Sequence, residues 1–320
     1  MAINILRYVH EQRTQWGAVV KGRIVPIPGD AVTTADFLRD HPLAALKAHI
    51  DRNGPGLLLS DVRLLSPLTP NQQFICQGAN YRQHMIESGM DPDAKAYNMI
   101  FTKATSCLAA ADADLVKPKA VSFLDYEIEL GLILRQDILR RTTVTDAKLH
   151  DFVAGLVIVN DYSARDIQIP QMQFYKGKSF RSFGPVGPWI CLLEPHEMPV
   201  IRQLQLTLTV NGQIRQQDTT ANLVWGPAET LTELSGVHDL HAGDLLSTGT
   251  PAGCALAVPS PAKQRIGALL PERTKWKIFL KVQSRRPQYL KPGDVVESRI
   301  RSADGEIDLG VQRNRVVAEA

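Results

Sequence analysis

Asp125-Tyr126-Glu127-Ile128-Glu129-Leu130-Gly131-Leu132-Ile133-Leu134 is the stretch on which the reading of this chain turns. Its first half carries acids at alternate positions and its second half is apolar on both faces. That pattern predicts one strand running into the interior of a sheet. Period two puts Glu127 and Glu129 on the same face, with Cα atoms roughly 6–7 Å apart. Two carboxylates so close at the mouth of a buried strand are unfavourable unless one is protonated or a cation joins them. At an exposed strand end the same pair would simply be solvated. Residues 156–159, Leu-Val-Ile-Val, predict a second buried strand that ends in Asn160-Asp161. A carboxylate where that strand emerges is placed to join the other two, and three oxygen ligands suit Mg²⁺ or Mn²⁺. The alternative makes Asp161 a helix N-cap for the residues after it.

Beyond this pair of strands the chain is rich in short strands and poor in long helices. Residues 204–210 alternate at period two, and Asn211-Gly212 is a strong hairpin signal, with residues 213–217 returning antiparallel. Residues 295–300 and a return strand after Asp304-Gly305 predict a second hairpin, and residues 228–234 a short helix. The first 70 residues read as a small unit of their own. Residues 16–20 and 23–27 flank a Lys21-Gly22 turn. A helix follows from a Thr33 or Thr34 cap to about Asp51, interrupted at Pro42 and stopped by Asn53-Gly54-Pro55-Gly56. Residues 62–65 predict a connecting strand. The expected architecture is therefore α+β and β-dominated, with a small N-terminal α/β domain over 1–70 and a larger domain over 71–320.

Composition narrows the function. The 320 residues are 44% hydrophobic and 22% charged, an ordinary globular balance. Thirty-six Lys+Arg against thirty-three Asp+Glu give only +3, too little to argue for nucleic acid or a membrane surface. The longest apolar run, residues 152–159, is far short of a bilayer span. The N-terminus lacks the pattern of a signal peptide, so a soluble, cytoplasmic protein is expected. Cys76, Cys107, Cys191 and Cys254 are scattered, with no C-x-x-C to suggest zinc or a disulfide frame. Gly177-Lys178-Ser179 resembles the end of a phosphate-binding loop, but Met172 stands where that loop needs glycine. No serine sits in G-x-S-x-G.

Three further groups of residues could carry chemistry. Arg165 and Gln168 are three apart, so on a helical turn they share a face, and Arg165 could hold a substrate carboxylate bidentately or form an ordinary surface pair with Asp166. Lys178 lies among aromatics and glycines, either facing an anion or snorkelling over Phe180. His84 and Glu87 fall on one face if their segment is helical. A carboxylate partner raises imidazole basicity and fixes its tautomer, as a general base requires. Any helix surface can carry such a pair.

Taken together and in this order, these pieces resemble the fumarylacetoacetate hydrolase family. The matching elements are Asn80-Tyr81-x-x-His84-x-x-Glu87, Asp125-Tyr126-Glu127-x-Glu129-Leu130 and the run from Asn160 to Gln168. Lys178-Ser179-Phe180, Gly184 to Trp189, Val210-Asn211-Gly212 and Gly243 to Pro251 continue the match. The resemblance implies a mixed β-sandwich roll and a homodimer. Carried over residue by residue, it implies metal ligation by Glu127, Glu129 and Asp161, with Mg²⁺ or Mn²⁺ expected and Ca²⁺ a third candidate. It implies a water-activating pair of His84 and Glu87, with Lys178 assisting. Substrate contacts are implied at Arg165, Gln168, Lys178 and Thr250, joined by Tyr81. The activity implied is hydrolysis of a C–C bond in a 2,4-dioxo acid, giving a pyruvate-like product and an acid. The alternatives are isomerisation of a 2-hydroxyhepta-2,4-diene-1,7-dioate, decarboxylation of a β-keto acid, or non-catalytic binding of a dicarboxylate. Two positions depart from the pattern. Gln77 stands where some fumarylacetoacetate hydrolases proper carry a fourth acid, which makes the chain more similar to the acylpyruvase branch. Arg181 replaces a common aspartate, and an added cation there would either favour a more anionic substrate or contact a neighbouring loop.

Overall fold

The computed structural model describes residues 2–54, 56–259, 267 and 269–320. Pro55 of the expected helix stop therefore lies outside the described residues. Two sheets packed face to face form the body. The larger has eleven strands. Its order runs from Leu57–Leu58 through Arg23–Ile27, Arg13–Val20, Ile3–His10, Ile190–Leu192, Val153–Asn160, Ile128–Leu134, Leu245–Ser247 and Phe74–Gly78 to Met99–Thr102, and Arg63–Leu65 also pairs with Ile3–His10. The smaller has five strands, in the order Gln213–Thr219, Gln205–Val210, Val295–Arg301, Asp308–Ala318 and Leu115–Lys117. Strands Ile128–Leu134 and Val153–Asn160, at the centre of the larger sheet, are buried along their whole length. Their apolar, two-faced composition allows nothing else. The fold is mixed α+β and strand-dominated.

Several local signals act as written. The turn at Asn211-Gly212 takes positive φ at both residues (51° and 77°) and closes the hairpin. Thr33 caps helix Thr34–Asp40 in a capping box with Asp36, and Pro42 divides it from helix Leu43–Arg52. The strands before residue 70 extend the larger sheet through the pairing of Ile3–His10 with Ile190–Leu192.

One expectation is corrected. Residues 125–134 are not a single strand: Leu124–Asp125 pairs with Ser163–Ala164, Ile128–Leu134 pairs with Val153–Asn160, and Tyr126-Glu127 lies in neither. The break has a definite cause. Side chains take the backbone donors that a regular ladder would use: Glu127 N–H donates to Asn160 Oδ1 (2.9 Å) and Ile128 N–H to Gln216 Oε1 (3.0 Å). The chain thus crosses from one pairing to another just where its acids stand.

Candidate active site

A cavity of about 710 Å³ opens above this break, with Glu127, Glu129 and Asp161 in its wall. One carboxylate oxygen from each lies within 4.8 Å of the others. Asp161 follows the end of strand Val153–Asn160 and caps no helix, since the next helix, Arg165–Gln171, begins after Ala164. Buried cations surround the acids. Lys178 bridges Glu127 (2.5 Å) and Asp161, while Lys103 donates to Asp161 Oδ1 (2.6 Å). Arg165 Nε donates to Asp125 Oδ2 (2.8 Å), one terminal nitrogen donates to Glu127, and the other to Gln168 Oε1 (2.7 Å). Helices Arg165–Gln171 and Phe174–Lys178 can bring Lys178 down because Gly177 lies against Gln168, where a Cβ would come within 2.7–2.9 Å of it.

The electrostatics follow from this packing. Four buried acids (Asp125, Glu127, Glu129 and Asp161) face three buried cations (Lys103, Lys178 and Arg165), so one acid of the four has no cation to balance it. Burial disfavours ionised Glu127, but the charges of Arg165 and Lys178 outweigh it and hold its carboxyl far below the usual range. Glu129 forms no ion pair among the described residues, although the charge of Lys178 reaches it. It accepts hydrogen bonds from Ser247 Oγ (2.5 Å) and Gly249 N–H (3.0 Å), yet burial together with the nearby charges of Asp161 and Glu127 raises its pKa to about 8. The donor set fits a hard divalent ion: the ligands are all oxygen, and an added cation would balance the acid left unmatched. Glu127, Glu129 and Asp161 are the residues that would hold it.

A stability prediction follows directly. Below the ordinary value of 4.5 both folded and unfolded chains keep the Glu129 proton; above it the unfolded chain releases the proton and the folded one retains it up to about 8. Across that interval the metal-free protein loses stability as pH rises, by at most about 1.4 kcal/mol per unit. His84 has a lowered pKa and acts in the opposite sense below about pH 6.5, so the loss stands clear between about pH 7 and 8. Thermal melts in EDTA are expected to show a falling melting temperature there, and added Mg²⁺ or Mn²⁺ to flatten the trend. A flat metal-free profile contradicts the assignment to Glu129.

His84 and Glu87 sit on helix Arg82–Glu87 and both line the cavity. A ring nitrogen of His84 lies within 4.8 Å of a Glu127 carboxylate oxygen and of Cys254 Sγ. Burial pulls the imidazole pKa below its ordinary value, against the attraction of Glu127, so it is neutral near pH 7. Its Nδ1 is buried without a hydrogen-bond partner, and Glu87 is exposed, with no hydrogen bond joining the two among the described residues.

Gln168, Lys178 and Thr250 also line the cavity. The Thr250 hydroxyl is engaged twice, donating to Ile128 O (2.9 Å) and accepting from Gln216 Nε2 (2.8 Å). Arg165 is buried in the acid cluster rather than paired on the surface with Asp166. Three of its five N–H groups already serve Asp125, Glu127 and Gln168, so it positions Glu127 as much as it could meet a substrate. Tyr81 departs from expectation. Its backbone is extended (φ −100°, ψ 136°), and its side chain is fully buried and does not line the cavity, so it is not placed to meet a substrate there. Gln77 donates to Asn98 Oδ1 and Thr230 Oγ1 (both 3.0 Å). Arg181 is exposed and lines no part of the cavity. Sequence reasoning missed Lys103, which gives no signal beyond a lysine ending strand Met99–Thr102. It also missed Asp125 as the partner of Arg165, although its period-two relation to Glu127 pointed there.

Comparisons with known proteins bear on the family and the fold. The chain is 34% identical over 212 residues, 65% of its length, to the oxaloacetate tautomerase YisK of Bacillus subtilis (strain 168), covering 68% of that protein. Its structure resembles a fumarylacetoacetate hydrolase from the psychrophilic Exiguobacterium antarcticum, with a TM-score of 0.74 and 27% identity over 99% of this chain and 100% of that one. It also shares the fold of a maleylpyruvate hydrolase from Sphingobium sp. SYK-6, solved with manganese(II) and pyruvate, at a TM-score of 0.72 and 22% identity over 99% and 100% of the two chains. The family model for the C-terminal region of fumarylacetoacetate (FAA) hydrolase matches residues 73–317. That match covers every acid of the cluster and about three quarters of the chain, and the chain belongs to the fumarylacetoacetate hydrolase family of enzymes.

Proposed function

We propose that this protein is a metal-dependent hydrolase that cleaves the C–C bond of a 2,4-dioxo acid, releasing pyruvate and a carboxylic acid. The observation that carries the reading is the charge of the buried cluster. Four buried acids against three buried cations leave one acid unmatched, and that acid, Glu129, lines the cavity together with Glu127 and Asp161. A divalent cation that displaced the Glu129 proton would leave the cluster with a single positive charge, which matches the carboxylate of a 2-oxo acid head. Glu127, Glu129 and Asp161 would hold the cation, which would supply Lewis-acid charge to the 2-oxo acid head.

The chain's own residues supply the rest. His84 is neutral near pH 7 and faces the cavity, so it can take a proton from a water molecule that attacks the C4 carbonyl. The C3–C4 bond then breaks, its electron pair stays on C3 as the pyruvate enolate, and a proton at C3 completes pyruvate. Lys178 and Gln168 place fixed donors beside the developing charge, and Arg165 holds Glu127 in place.

A second reading is proton transfer alone, the tautomerisation of a 2-oxo acid. What favours it is the lack of a hydrogen bond between His84 and Glu87 among the described residues, since a single base can move a proton at C3 without an assembled water-activating pair. The tautomerase named above is 34% identical to this chain.

Incubating purified protein and Mg²⁺ with a panel of acylpyruvates separates the two readings. Loss of enol absorbance with equimolar pyruvate and free acid is the expected result. Intact acylpyruvates together with accelerated keto–enol exchange of oxaloacetate would establish the second reading instead. Inertness in both assays overturns both.

A further inference from the structure

The acid cluster accounts for one part of the cavity; another part of its wall is cationic. Arg215 and Arg286 both line it and both are half-buried. Arg215 comes from strand Gln213–Thr219, whose backbone lies hard against residue 253. A Cβ at Gly253 would stand 2.1 Å from Arg215 O, and its φ of +105° suits only glycine. Arg286 follows helix Glu272–Gln283 and donates from Nε to Ala255 O (2.6 Å). Tyr126, next to Glu127 in the chain, donates its hydroxyl to Gly253 O (3.3 Å). The two arginines thus converge on residues 253–255, beside a phenol that lines the same cavity. The charges of both are felt at Tyr126: burial and Asp125 raise its pKa, while Arg215 and Arg286 oppose the rise.

Neither arginine has a carboxylate within 4.0 Å among the described residues, unlike Arg39, Arg82, Arg165, Arg202, Arg299 and Arg313. Arg215 Nε is buried with no hydrogen-bond partner, and its NH2 reaches only Gln213 Oε1 at 3.5 Å. Two guanidinium groups facing one cavity with no counter-ion of the chain's own are matched to an anionic ligand, and the planar fork of arginine suits a carboxylate.

We propose that Arg215 and Arg286 form a subsite for a second carboxylate, so that the preferred substrate is dianionic, with a 2-oxo acid head at the acid cluster and a carboxylate at its far end. This rests on the reading of the acid cluster as the site of the 2-oxo acid head. It makes Arg215 and Arg286 specificity residues, with no part in proton transfer. It also moves the cation that the sequence offered at Arg181 to two positions on the cavity wall.

The test compares succinylpyruvate with pentanoylpyruvate, a chain of similar length lacking the terminal charge, in the full chain and in its R215Q and R286Q variants. Circular dichroism and melting temperature check that the variants fold. The wild-type protein is expected to favour succinylpyruvate in kcat/KM by about tenfold to a hundredfold. Each variant should shrink that ratio toward one, mainly through KM. In parallel, calorimetry measures Mn²⁺-loaded protein binding 2-oxoadipate against 2-oxohexanoate, which needs no turnover. If no acylpyruvate is cleaved but 2-oxoadipate binds more tightly and loses that advantage in the variants, the subsite stands and the hydrolase reading falls. If the wild type does not discriminate in either assay, or the variants keep the wild-type ratio, the subsite is wrong.

Discussion

Replacing Glu129 by glutamine is expected to abolish divalent-ion binding and lower turnover by about a thousandfold or more, yet leave the metal-free protein at least as stable as wild type at pH above 7. The two effects share one cause. Glu129 is the acid of the cluster that forms no ion pair among the described residues, and its pKa of about 8 records how strongly burial and its neighbours oppose its charge. A glutamine oxygen can accept the same bonds from Ser247 Oγ and Gly249 N–H, and its amide would turn two N–H donors toward Asp161 and Glu127. The variant keeps the packing and loses the unfavourable charge. It also loses the third oxygen anion, without which a hard ion has only carboxylates already shared with Lys178. Melting curves in EDTA and in Mn²⁺ give the check. The wild type should gain stability from Mn²⁺, as expected of a ligand that binds only the folded chain, and the variant should gain none. A variant that is stabilised by Mn²⁺ as much as wild type would remove Glu129 from the ligand set, and with it the charge argument for the site.

How much of this was legible beforehand depends on the range of the forces involved. The hairpin at Asn211-Gly212, the capping box at Thr33 and the division at Pro42 are set by neighbours a few residues away, and they appear where local chemistry puts them. The spacing of Glu127 and Glu129 placed both acids together, but on an expected continuous strand. The break at Tyr126-Glu127 is made by Asn160 and Gln216, thirty-three and eighty-eight residues away from their backbone partners, and no local pattern announces it. Arg165 illustrates the same limit. Its helical spacing to Gln168 holds, whereas its carboxylate partners, Glu127 and Asp125, are thirty-eight and forty residues back in sequence. Lys103, Arg215 and Arg286 are ordinary basic residues until the two sheets stack and the loop at 253–255 packs between them. Tyr81, implied only by the motif it shares with His84, is fully buried and outside the cavity lining, which the motif alone does not reveal.

His84→Ala is the change that separates chemistry from binding. A general base contributes about a hundredfold to ten-thousandfold, so kcat is expected to fall by that much while Mn²⁺ binding persists, since the carboxylates are untouched. The pH profile adds a signature that a merely structural role would not produce. Burial lowers the His84 pKa, so the acid limb of the wild-type kcat/KM should lie below the ordinary histidine value of about 6.5, and it should vanish in the variant. Glu87 then decides between the two reactions. It is exposed and makes no hydrogen bond with His84, so if the imidazole works alone Glu87→Gln should lower kcat by less than about tenfold. If instead the helix Arg82–Glu87 moves on substrate binding and assembles the pair, Glu87→Gln should approach the loss seen for His84→Ala, because residues that act as a unit fail together. The second outcome, accompanied by equimolar pyruvate and acid, is what hydrolysis requires of this helix. The first, with proton exchange at C3 but no cleavage, is what tautomerisation requires. A His84→Ala protein with full activity and an unchanged acid limb would leave neither reaction with a base in this cavity.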